Sequence, residues 1–227
     1  MQQAQEKKRP GRPRGRQTEN TSRRRRQLIE AAIDSIVEHG MSATTLATVA
    51  KSAGLSQGAA VFYFQTKENL LVETLRYHYQ EYQDLWQEEL EKAPDDPVEK
   101  ITALVLADLD PKICNPRNLT LWNSFWGEVT ARPRFAKLCD DFDRERYSII
   151  LRLCEDAAPL IRDHVWSPAS VADTLDTMVD GLWVRMHITP DFLDNKASSL
   201  LMVRLLISIF PTRSEQIMAR QESKSPV

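Results

Sequence analysis

A helix-sized segment that stops at one glycine and restarts two residues later constrains this chain more than any other feature. Between residues 44 and 54, Leu46, Val49, Ala50 and Ala53 recur at i, i+3, i+4 and i+7, which lays one apolar stripe along a short helix. Thr44 or Thr45 offers a side-chain oxygen to cap its start. Gly54 supplies the positive-φ residue that ends it. Ser56 then opens a second short helix, with Gly58 and Ala59 small enough to let it press against a neighbour. Two short helices joined by a glycine turn make a helix-turn-helix, the unit that sets its second helix into the major groove of DNA.

The remainder also reads as helix. Glycine occurs only 7 times in 227 residues, and apolar residues recur every three to four positions, so the fold class is all-α. The periodicity predicts a helix from Arg23 to His39 ended by Gly40, with Leu28 or Ile29, Ala32, Ile33, Ile36 and Val37 on its buried face. Thr66 caps a long helix to about Lys92. Further helices are expected from Pro97 to near Pro111, from Asn115 to Thr130, from Pro133 to Ala158, from Ala169 to Ile188, and onward from Asp194. Leu200–Phe210 is apolar on nearly all sides, so it must be buried all round; the body covers one face and a second copy of the chain the other. It is too short for the ~18 apolar residues of a membrane span and contains Arg204.

A net charge of −2 hides an asymmetry. Residues 1–26 hold ten basic groups against Glu6 and Glu19, so they carry +8 and the other 201 residues carry −10. Such a separation points to a polyanion at one end of the molecule. Residues 1–22 lack apolar periodicity and are expected to be a disordered basic arm. Within the arm, Gly11-Arg12-Pro13-Arg14 resembles an AT-hook, which implies that Arg12 and Arg14 enter an A·T minor groove; loose attraction to phosphates is the alternative. The four arginines 23–26 oppose the dipole at their helix start, an arrangement that suits phosphates lying against that end.

The pattern Gly54-Leu55-Ser56-x-Gly58-x-x-x-x-Tyr63-Phe64-x-x-Lys67-Glu68-x-Leu70 resembles the DNA-binding signature of the tetracycline-repressor (TetR) family. The resemblance implies a three-helix helix-turn-helix domain over 23–66 and a helical effector-binding and dimerisation domain over 67–212; the polar composition beyond them predicts a flexible tail over 213–227. The resemblance places Gln57, Gly58 and Ala59 at the base-facing start of the reading helix, counts Ser56 before them among the DNA-binding residues, and puts Thr45, Tyr63 and Lys67 at phosphate contacts. Gln57 carries an amide that can bond an adenine edge. The family's usual tyrosine is replaced by Val61, and Phe62 stands where a polar or aromatic residue is common; Gly58, Ala59 and Val61 offer mostly apolar contact, suited to thymine methyls. The implied partners are a palindromic double-stranded operator, a second copy of the chain and a small-molecule effector, with no membrane.

Trp122-Asn123-Ser124-Phe125-Trp126 and Asp180-Gly181-Leu182-Trp183-Val184-Arg185, with Asp108-Leu109-Asp110 ahead of them, resemble segments of the choline-responsive BetI subgroup. That resemblance implies a quaternary ammonium effector. The chemistry agrees: indole faces attract a cation that donates no hydrogen bonds, at ~0.5–2 kcal/mol each. The effector set is therefore Trp122, Trp126 and Trp183, with Asp108, Asp110 or Glu128 balancing the charge. Ordinary core packing competes for each tryptophan, and a dimer seam for Trp183.

Cys114, Cys139 and Cys154 form neither a disulfide framework nor a metal-ligand spacing, so no metal and no cofactor is expected. None has the basic neighbours that would make it a redox trigger, although a regulator answering to cysteine oxidation or to another ligand is the competing reading. Four scattered histidines, no glycine-rich phosphate loop and no nucleophile motif argue against an enzyme. A basic N-terminus without an apolar signal region suggests a cytoplasmic, nucleoid-associated protein.

Overall fold

Two glycines at positive φ set the first corners of the chain, Gly40 at φ 80° and Gly54 at φ 65°. The computed structural model describes residues 14–162, 165–191 and 193–224, and among these it contains ten α-helices and no strand. They fall into two units, divided between Thr74 and Leu75.

The first unit holds α1 (Arg14–Ala43), α2 (Leu46–Ser52), α3 (Gln57–Phe64) and the start of α4 (Lys67–Lys92). Gly40 interrupts α1 with non-helical backbone. Thr45 is the cap of α2: its hydroxyl accepts from the Thr48 amide, and Thr48 answers by accepting from the Thr45 amide. Thr44 is buried instead, bonded to Ser35 at 3.0 Å and donating to the Gly40 carbonyl at 3.1 Å. Leu28, Ile29, Ile33 and Ile36 of α1 are enclosed, as are Val49, Ala50, Ala60, Phe64, Leu70 and Leu71. Each large side chain buried in this way contributes roughly 1.5–3 kcal/mol.

Helix α1 begins nine residues earlier than the apolar pattern indicates. Residues 14–22, expected as part of a disordered arm, are helical. They contain no proline, and extending an existing helix adds a hydrogen bond per residue without a new nucleus. Arginines 23–26 consequently sit in the body of the helix rather than at its positive end. Residues 1–13, with the predicted contact Arg12, lie outside the described residues, as does the side chain of Arg14.

The second unit continues α4 from Leu75 and adds α5 (Pro97–Asp108), α6 (Pro116–Trp126), α7 (Pro133–Asp156), α8 (Pro168–Ile188), α9 (Asn195–Ile209) and α10 (Ser214–Lys224). Four of these open on proline, where the missing N–H leaves no bond unmade. Asp96, Asn115, Ser167 and Asp194 cap α5, α6, α8 and α9 through their side chains. Helix α5 is the axis of the unit: every residue from Ile101 to Asp108 is buried, and α7, α8, α9 and α10 pack around it. Among the described residues no helix is long and apolar enough to cross a membrane.

Two expectations change here, the end of α6 and the tail. Helix α6 stops at Trp126, with Gly127 as its cap, and a 3-10 turn over Val129–Ala131 follows. The tail beyond 213 is not loose through residue 224 but forms α10: Ile217 is buried, Arg213 pairs with Asp96 at 3.1 Å, and Arg220 pairs with Glu99 at 3.2 Å. In α9, Met202, Val203, Leu206 and Ile209 are buried, but Leu200 and Leu201 remain 39% and 38% exposed in the single chain.

Candidate functional site

The reading helix α3 is fixed at its start by Ser56, whose Oγ accepts from the Ala59 amide at 3.2 Å. Ala60 and Phe64 face the core, whereas Gln57, Gly58, Val61 and Phe62 face water. Tyr63 is half-buried and meets Phe62 edge-on at 5.2 Å between ring centroids. The Lys67 ammonium donates to the Ser42 carbonyl at 2.9 Å. Thr45 and Ser56 thus serve as helix caps, with their remaining surface open. At the exit of α3, Gln65 adopts φ 60° and the Thr66 amide closes a γ-turn on the Phe64 carbonyl at 2.7 Å, a conformation strained for a residue with a Cβ. Arg25 is committed inside the unit, paired with Glu73 and lying 5.7 Å over the Phe64 ring.

In the second unit three indoles come together. Trp122 and Trp126 of α6 stack at 6.0 Å, Trp122 and Trp183 of α8 at 5.8 Å, and Trp126 and Trp183 at 6.2 Å. Tyr79 and Tyr82 of α4 meet Trp122 edge-on at 4.6 and 6.0 Å. These five rings, Val179, Asp143 and Arg146 of α7, and Asp176 and Asp180 of α8 line a cavity of about 130 Å³. The Trp122 indole nitrogen is buried without a hydrogen-bond partner. Behind Trp122, at 4.3 Å, His78 is a neutral imidazole: burial first, then Arg117, lowers it to about 3.

Asp108 holds this wall in place rather than lining the cavity. Its Oδ1 accepts from the Tyr82 hydroxyl at 2.6 Å, its backbone carbonyl accepts from Trp183 Nε1 at 2.9 Å, and its other carboxylate oxygen pairs with Arg146. Burial raises its carboxyl, and Arg146 opposes that rise. Arg146 also reaches Asp176, bridging the interior to the cavity mouth. Asp110 accepts from the Lys112 amide at 2.8 Å within a loop, and Glu128 is bound to Arg132 at 2.8 Å; neither lines the cavity.

The carboxylates at the mouth are Asp143, Asp176 and Asp180. Partial burial, then the charges of Asp180 and Asp176, push Asp143 up to about 7, although Tyr79 donates to it at 3.4 Å. Partial burial followed by Asp176 pushes Asp180 up to about 6. With three acids against one guanidinium, the mouth favours a positive guest. The periodicity of α8 already contained part of this set: Asp176, Val179, Asp180 and Trp183 fall at i, i+3, i+4 and i+7, one face of a helix. By contrast, burial pushes the thiols of Cys114 and Cys154 up to about 12 and raises Cys139, opposite to the lowering that makes a cysteine reactive.

Residues 28–74 match the model of bacterial regulatory proteins of the tetR family, and residues 97–211 match the C-terminal domain of the BetI-type transcriptional repressors. The chain belongs to the TetR family of DNA-binding transcriptional regulators, with a C-terminal domain of the BetI type. It is 33% identical over 178 residues to the HTH-type transcriptional regulator BetI of Paraburkholderia xenovorans (strain LB400), covering 77% of this chain and 87% of that one. It is 34% identical over 162 residues to BetI of Stenotrophomonas maltophilia (strain R551-3), covering 71% and 80%. Similar solved structures include a transcriptional regulator from Pseudomonas aeruginosa PAO1 (TM-score 0.73, 18% identity, 86% of this chain and 94% of that one). Another is a regulator from Saccharomonospora viridis in complex with choline (TM-score 0.70, 22% identity, 79% and 93%). These relatives are regulators of transcription and not enzymes.

Proposed function

We propose that the chain is a homodimeric repressor released from a palindromic operator by a small organic cation, a quaternary ammonium compound such as choline. The observation that carries this reading is the set of three stacked indoles beneath a mouth of three carboxylates with one guanidinium between them. A trimethylammonium group donates no hydrogen bonds, so it gains most from ring faces, at ~0.5–2 kcal/mol each, and from nearby negative charge. A related fold has been solved with choline bound, which supports the same class of guest here.

Dimerisation is supported by the apolar surface that α8 and α9 leave uncovered, Ile188 at 69% exposed with Leu200 and Leu201. Two reading helices would then enter major grooves separated by a fixed span. A guest that favours another spacing needs a coupling of only ~1–3 kcal/mol to release the operator.

The test is a gel-shift titration of the full chain on its own upstream DNA, with choline added, alongside indole fluorescence. Choline is expected to quench the fluorescence and release the DNA. Trp126→Ala and Asp180→Asn should each blunt both effects without weakening DNA binding. Unchanged fluorescence and unchanged DNA binding at millimolar choline would refute the effector assignment.

A further inference from the structure

The exposed face of α3 is a single stripe. Gln57, Gly58, Val61 and Phe62 lie at i, i+1, i+4 and i+5 and are all open to water, so they share one side of the helix. Val61 is 44% exposed and Phe62 is 73% exposed. Neither side chain belongs to the buried face of α3, which is carried by Ala60 and Phe64 at 0% and 1% exposure. The Phe62 ring is nevertheless placed, since Tyr63 meets it at 5.2 Å and 81°. No acidic side chain stands on the stripe to repel phosphates.

In a duplex, the major groove offers such a surface one apolar feature on an unmodified base, the C5-methyl of thymine. We infer that Phe62, with Val61 beside it, is a specificity-determining residue that reads a thymine methyl in each operator half-site. Gln57, one turn earlier on the same face, supplies the hydrogen-bonding contact to a neighbouring base. The inference rests on α3 being the base-reading helix of this family.

The experiment starts with selection of a binding site by the full chain from a random duplex pool. Each thymine of the selected half-site is then replaced by deoxyuridine, which removes the methyl and keeps the hydrogen-bonding edge. At one or two positions the replacement should weaken the wild-type complex about fourfold, the equivalent of one buried methyl-sized group, and should leave Phe62→Ala unaffected. Phe62→Leu should retain part of the discrimination. Phe62 is exposed, so its variants should melt as the wild type does. Equal uracil sensitivity in wild type and Phe62→Ala, or none at any thymine, would overturn the inference alone. Enrichment of no sequence at all would overturn it together with the base-reading role of α3.

Discussion

The phenol of Tyr82 donates to the carboxylate of Asp108 over 2.6 Å, with both side chains buried. Arg146 holds the same carboxylate from the other side and is itself only 8% exposed. Removing the hydroxyl takes one bond from a buried charge and should cost about 1.5–3 kcal/mol in Tyr82→Phe. Removing the guanidinium strands the charge and should cost about 3–5 kcal/mol in Arg146→Met. Urea denaturation gives both values. A loss in Arg146→Met no larger than that in Tyr82→Phe contradicts the assignment of Arg146 as the counter-charge.

If the proposed cationic guest sits at the cavity mouth, protons compete with it for the same carboxylates. Asp143 is raised to about 7 and Asp180 to about 6; Asp176 and Arg146 face them, and Tyr79 bonds Asp143. Protonation below those values removes negative charge, so choline affinity should climb as pH rises from 5.5 to 8. The expected gain is about tenfold, the equivalent of ~1.4 kcal/mol. Indole fluorescence titrations at several pH values measure it, and a flat or falling profile contradicts the role given to the mouth.

Gly54 turns the chain between α2 and α3 at φ 65°, and a Cβ added there would meet nothing within 4 Å. The cost of Gly54→Ala is therefore conformational. The left-handed penalty, partly offset by a less flexible unfolded chain, leaves a net loss of about 1 kcal/mol. Gly54→Asn should lose less, because asparagine tolerates that region. Thermal melts of the two variants should rank in that order.

Gly181 lies one heptad before Ile188 on the open side of α8, and its Cβ direction is also empty in the single chain. Alanine there should raise the helix stability of an isolated chain by about 0.5–1 kcal/mol. If a second copy packs against that side, the same methyl should weaken self-association. Sedimentation equilibrium of Gly181→Ala against wild type checks this, and an undisturbed dimer would exclude close packing at Gly181.

The reading head was legible in the sequence because its determinants are local. A four-residue apolar spacing, one glycine and two hydroxyl caps lie within about twenty positions, and Thr45, Gly54 and Ser56 do there what their chemistry dictates. Trp122 and Trp126 were legible for the same reason, being one turn apart. Asp108 was misplaced because its burial depends on Arg146, 38 residues further along. Asp143 joins Asp176 and Asp180 only when α7 lies against α8. Helix α10 was not legible because, among its described residues, Ile217 alone is deeply buried, too sparse for a period, and its docking relies on Arg213 and Arg220 finding acids around α5.

The bond from Trp183 to the Asp108 carbonyl has a thermodynamic corollary. If the cavity takes the proposed guest, an indole clamped to the enclosed central helix gives that guest a wall already braced by the fold. Little chain ordering then accompanies occupancy, and the conformational-entropy loss that erodes affinity in floppy sites is small. Calorimetry with a small cation should accordingly register a modest heat-capacity change, the signature of filling a rigid mould rather than of folding around a template.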